Sequence, residues 1–358
     1  FGDTIIGVIG PAQAATGALA GMLGTAVIGI IAAIFGGTDR LISAPCAPAA
    51  AVLTAFAIEL TAQGMAPDVV ILLLTMLGIL TGLMQFMFGV FNMGRLINYI
   101  PYPVASGYLS GVGIIIITSQ LPRLLGVAKD NAWSLSIIEP WHWDLRSLTI
   151  GLTTIIVSLL APRLTRKVPG IILGILGGVL CYFAFALEDP ALLVLENNPL
   201  VLGSLSAATE GHLVALSGRW RDIGELQLSQ VVGLLGNALT LAVLLSIDTL
   251  KTSVMLDQMT RSRHESSREL LAQGLGNITA TALGGIPGSG TSGPTLVNLA
   301  SGAQTRLSGV IEGLLALIAA LLLASFLAWL PVATMAAILL MIGVRMIDRE
   351  PLRFIESS

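Results

Sequence analysis

Asp248, Lys251 and Thr252 stand together in SIDTLKTSV, at the end of an apolar run that begins at Val231. Residues three and four apart share a helix face, so the spacing predicts that Asp248 pairs with Lys251 and has Thr252 one turn away. Counted back from Arg261 and Arg263, Asp248 lies about 13 residues into the run, roughly 20 Å along a helix and too deep for an end cap. Ionisable groups at such depth are costly and mark ion pathways. The chemistry on offer is ion binding with charge compensation. An intramembrane enzyme would need a buried nucleophile beside a base, and none of His142, His212 and His264 falls in an apolar run. The chain is therefore read as no enzyme, with no His/Cys/Asp spacing for a metal site.

The second chemical feature is LGGIPGSGTSGPTLVN, residues 283–298. Non-helical backbone is tolerated at membrane depth only where it is buried in protein or lines a cavity. Gly284, Gly285, Gly288, Gly290 and Gly293 allow close backbone approach, and Pro294 suits the first turn of a helix. The segment reads as a loop followed by a helix start, and Ser43-Ala-Pro-Cys-Ala-Pro48 reads the same way. Two helix N termini with free N–H groups make an anion site. Its expected lining is the backbone near Cys46, Ala47 and Ala49 and from Ser292 to Thr295, with the hydroxyls of Ser43, Thr291, Ser292 and Thr295.

The elements that must position these groups are apolar. Of 358 residues, 54% are hydrophobic and 11% charged, a polytopic membrane composition. Runs long enough for a hydrocarbon core of ~30 Å centre near Ile5, Ile28, Val52, Leu77, Ile115, Ile155, Ile175, Leu241, Leu275, Leu296, Leu315 and Ala336. If they alternate, twelve Lys and Arg, including Arg40, Arg95, Arg166, Lys167, Arg349 and Arg353, fall on one set of connections. Five, including Lys129 and Arg219, fall on the other. The richer side is expected in the cytoplasm. The formal net charge of −3 calls for no nucleic acid. Cys46 and Cys181, the only cysteines, suggest no disulfide framework. His142, between Trp141 and Trp143, reads as an interfacial anchor, while RSRHESSREL reads as a solvated turn and helix start. Glu59 and Gln85 read as a helix end and a helix–helix hydrogen bond. A start without methionine and an end just after a basic stretch suggest a chain truncated at both ends.

Two internal echoes suggest duplication. AAIFGGTDRLISAPCAPAAAV near Gly36 matches ATALGGIPGSGTSGPTLVN near Gly284, and NYIPYPVASGYLSGVGI near Pro103 matches LAWLPVATMAAILLMIGV near Pro331. Repeats with an odd number of spans are inverted in the membrane, as in many secondary transporters. The expected division is a first repeat over 1–187, an external connection over 188–228 and a second repeat over 229–358.

IFGGTDRLISAPCAPAAAV, PYPVASGYLSGVGIIIITSQLPRLLG and RELLAQGLGNITATALGGIPGSGTSGPTLVNLASGAQTRLSGVIEG resemble the sulfate permease (SulP) family of anion transporters over nearly the whole chain. SIDTLKTSV also resembles the matching span of sodium-coupled bicarbonate members. The resemblance implies an all-α, inverted seven-plus-seven transmembrane fold with core and gate divisions, two half-helix spans and about 12 of its 14 spans present. It further implies an elevator-like alternating-access mechanism, a homodimer in the bilayer of a bacterial inner membrane, and often a STAS domain, which is not expected within these 358 residues. The anion would lie between the runs opening at Ala47 and Ser292. Many animal members carry an arginine where Pro294 stands. By the same resemblance Asp248, Thr252, Gly290, Thr291 and Ser292 match a sodium site, while Lys251 replaces an apolar residue and could neutralise that position. The expected substrate order is sulfate, then bicarbonate, then dicarboxylate, by symport or exchange, with sodium or a proton as coupling ion and no other cofactor. A nucleobase permease of the same fold is the nearest rival, and a passive channel is separated from a carrier by the lack of trans-stimulated exchange.

Overall fold

The protein is described here by a computed structural model covering residues 1–9, 13–94, 102–127, 142–164, 168–195, 198–203, 216–222, 228–322 and 324–347. Arg95, Lys129, Trp141, Arg166, Lys167, His212, Arg349 and Arg353 lie outside the described residues.

The expectation of an all-α chain holds. In order the elements are α1 (Gly2–Ile6), α2 (Ala14–Phe35), β1 (Ser43–Ala44), α3 (Ala47–Ala62), α4 (Pro67–Val90), α5 (Tyr102–Leu124), α6 (Leu145–Leu164) and α7 (Gly170–Glu188). There follow α8 (Leu228–Thr260), α9 (Ser266–Ala282), β2 (Ser289–Gly290), α10 (Ser292–Ala300), α11 (Leu307–Leu322) and α12 (Val332–Met346). Every expected span centre falls on one of these helices. Among the described residues five helices are long and apolar enough to cross a membrane, and α3, α11 and most of α12 are shorter apolar helices. α9 is shorter as well, at 17 residues, and its buried face is polar, carrying Glu269, Gln273, Asn277 and Thr281.

The chain forms two compact units, one from Phe1–Ile100 with Leu205–Ala324, the other from Pro101–Ser204 with Ser325–Ser358. Each unit draws on both expected repeats, and each internal echo falls within a single unit. In the first unit, α3 and α4 share an apolar core with Leu234, Ala238, Leu241 and Leu245 of α8. The segment expected as an external connection is divided: Leu202 N–H donates to Leu330 O in the second unit, and Trp220 Nε1 donates to Ala282 O in the first.

In the second unit α5 packs along α12, which also meets α6 and α7. Thr154 Oγ1 of α6 donates to Thr334 Oγ1 of α12 at 3.2 Å. Buried Tyr182 donates to Leu192 O, and exposed Arg146 pairs with Asp189 at 3.0 Å.

Candidate functional site

The two expected backbone breaks meet in the first unit. β1 and β2 pair antiparallel, Ser43 opposite Gly290 and Ala44 opposite Ser289. Each strand runs into a helix with no side-chain cap and with proline in its opening turn: α3 after Cys46, α10 after Thr291. The first N–H groups of both helices are therefore left for a ligand or water. The first main-chain bonds that close these helices run from Ala50 N–H to Cys46 O and from Thr295 N–H to Thr291 O. Gly288 must lack a side chain, because a Cβ there would strike the Ala44 carbonyl and lie 2.6 Å from Pro45 N.

Side chains from α8 and α9 hold this pair. Asn277 acts as a strand edge would: its Oδ1 accepts from Gly288 N–H at 2.7 Å and its Nδ2 donates to Gly288 O at 2.9 Å. The same Nδ2 donates to Gln85 Oε1 at 2.6 Å, so Gln85 makes the helix–helix hydrogen bond expected of it. Gly290 N–H donates to Thr249 Oγ1 at 3.0 Å. On the other strand, Gln273 Nε2 donates to Ser43 Oγ at 2.6 Å, and Gly37 N–H donates to Glu269 Oε2 at 2.8 Å. Hydrogen bonds also cross from one break to the other: Thr291 N–H donates to Ile42 O at 2.9 Å while Ile42 N–H donates to Thr295 Oγ1 at 3.0 Å.

The expected lining residues thus part into two groups. Ser43 and Thr295 are buried, and their oxygens accept hydrogen bonds that hold the strands. Cys46, Ala47 and Ala49 are buried as well, at the head of α3. Thr291 and Ser292 are partly exposed at the head of α10.

Asp248 and Lys251 do not form the expected pair. The carboxylate accepts from Ser289 Oγ at 2.6 Å, and among the described residues no ion pair joins it to Lys251, which is exposed. The ammonium stays out because leaving water for a partly buried site is expensive, whereas a long stem lets it reach polar surroundings. Thr252 is buried and its hydroxyl donates to Asp248 O at 2.9 Å, which leaves oxygen lone pairs for another partner.

Residue-by-residue reading missed Ser289, Thr249, Glu269, Gln273 and Asn277. The signal for the last three was present in ELLAQGLGN, which sets polar residues four apart on one helix face. His264 lies elsewhere, in the α8–α9 turn, with Nδ1 2.7 Å from Asp257 Oδ2 and Nε2 2.9 Å from Ser266 Oγ. Glu59 is exposed near the end of α3.

A polar strand pair carried by broken helices inside an apolar helical unit defines an integral-membrane protein built like a transporter. The family model described as the sulfate permease family matches residues 9–357, and the chain belongs to that family. It is 33% identical over 340 residues to the bicarbonate transporter BicA of Picosynechococcus sp., covering 93% of this chain and 57% of that protein. It is 26% identical over 337 residues to the putative sulfate transporter YvdB of Bacillus subtilis, covering 92% and 59%. The chain thus spans less than two thirds of the length of these relatives. The solved transmembrane domain of a cyanobacterial bicarbonate transporter BicA superposes with a TM-score of 0.78 at 29% identity, over 98% of this chain and 88% of that one. SLC26A9 shares the fold, with a TM-score of 0.74 at 15% identity, over 98% of this chain and 57% of that one.

Proposed function

We propose that this chain forms the membrane part of a secondary transporter that carries a small inorganic anion between the N termini of α3 and α10 by elevator-type alternating access. The observation that carries this reading is the pair of uncapped helix starts set side by side by β1 and β2. Main-chain N–H groups at Ala47, Ser292 and Gly293, with the Thr291 and Ser292 hydroxyls, supply donors to an anion without a fixed cation. Bicarbonate moves ahead of sulfate in the expected order, since two relatives named for bicarbonate are 33% and 32% identical, whereas several named for sulfate are 23% to 26% identical.

Asp248 supports a coupling cation in the same place. Its carboxylate has no lysine on it, and Ser289 beside it belongs to the strand that leads into α10. Sodium or a proton would be taken there, with Thr252, Gly290 and Ser292 as neighbours. The two-repeat architecture and a homodimer in a bacterial inner membrane complete the proposal; the antiparallel meeting of the two breaks supports inverted repeats.

Uptake of labelled bicarbonate and sulfate by proteoliposomes holding the full-length protein, with sodium, proton gradient and competitor anion varied in turn, tests it. Saturable, sodium-dependent bicarbonate uptake is expected. Sodium-independent sulfate uptake would move the assignment to the second reading, and flux that neither saturates nor exchanges would sink the carrier.

A further inference from the structure

α11 carries a single ionisable residue, Glu312, in the apolar stretch LSGVIEGLLALIAALL. Its Oε2 is buried, and among the described residues the carboxylate makes no hydrogen bond and no ion pair. The side chain faces α2 at Gly29. A methyl group added to Gly29 would come within 2.7 Å of Oε2 and 3.5 Å of the Ser43 carbonyl oxygen. Glycine at this position is what makes room for the carboxyl, and it sets the carboxyl beside β1.

No charged neighbour compensates it. α2, the helix packed on this face, contains no ionisable residue between Ala14 and Phe35, and β1 contributes only Ser43, whose Oγ is held by Gln273. At the ends of these elements Asp39 pairs with Arg306 at 2.8 Å, and Arg40 carries the carbonyl that Asn298 holds. An ionised carboxylate with an unpaired oxygen in such surroundings is strongly disfavoured. A metal cation would need a shell of several oxygens, which one carboxylate and one strand carbonyl do not make. A proton needs a single oxygen, removes the charge, and turns the buried carboxylate into a neutral donor.

We propose that Glu312 is a proton-binding site, separate from the position at Asp248, and that its protonation is linked to anion binding through β1. The link rests on the reading of α3 and α10 as the anion site; the proton site itself does not. A glutamate that gains its proton beside one strand of the pair alters the field at the helix starts the strand supports, so the anion and the proton each change the affinity for the other.

Infrared titration of the full-length protein in lipid tests this, with wild type, Glu312→Gln and Glu312→Asp compared with and without bicarbonate held at constant ion concentration. Glu312→Gln copies the shape of the protonated acid and should fold. The expected result is a protonated-carboxyl stretch that Glu312→Gln deletes, Glu312→Asp shifts, and bicarbonate moves in its titration midpoint. A band that survives unchanged in Glu312→Gln overturns the proton site. A band that Glu312→Gln deletes but bicarbonate leaves unmoved overturns the link. If the band behaves as expected under proton titration while the wild type takes up no anion, the transport reading fails and the proton site stands.

Discussion

The two backbone breaks have the same plan and are held differently. Around β2, Asn277 and Thr249 bond directly to main-chain groups of Gly288 and Gly290, and the ionisable Asp248 is attached to Ser289. Around β1, Gln273 reaches only a side chain, Ser43 Oγ, and the strand's own backbone is served by its partner strand and by Thr295. The β2 break is held on its main chain by side chains of two helices, whereas the β1 strand leans on its partner.

The largest expected effect contrasts the two holders. Asn277→Leu leaves both the N–H and the C=O of Gly288 unpaired and should cost about 3 kcal/mol, whereas Gln273→Leu should cost about half that. Thermal unfolding of both variants in one detergent measures the difference, and equal losses would remove the asymmetry. Next, Gly288→Ala drives a methyl into the Ala44 carbonyl. A loss of about 2 kcal/mol is expected, together with loss of anion uptake; a variant that transports normally would show that the strand pair is not needed.

Smaller effects sharpen the electrostatic side of the contrast. Asp248→Asn keeps an acceptor for Ser289, so stability should change by less than about 1 kcal/mol. Cation dependence of uptake should nonetheless disappear, and retention of it would place the coupling ion elsewhere. The smallest effect is expected of Lys251→Leu, an exposed substitution within about 0.5 kcal/mol of neutral. Its uptake should keep the sodium dependence of the parent, and a changed dependence would restore the lysine to the cation position.

Much of this was legible before the fold was known. The places where the backbone breaks could be read from Gly284 through Pro294 and from Ser43 through Pro48, because glycine and proline act on their own stretch of chain. The polar stripe on α9 was legible in spacing alone, although its partners were not. The direct ion pair expected of Asp248 and Lys251 is not found among the described residues, because a three-residue spacing shows that two side chains can meet, and the cost of desolvation decides whether they do.

By itself, the sequence determined the helical spans and the two breaks, since apolar length and backbone freedom are local properties. Only the tertiary structure decided which polar atoms are free for a ligand. Gln273 takes up Ser43 from 230 residues away, and Thr295 takes up Ile42 N–H from 253 away. Such bonds depend on how helices cross, which no local pattern encodes, and they tie two expected lining residues, Ser43 and Thr295, into the strand pair.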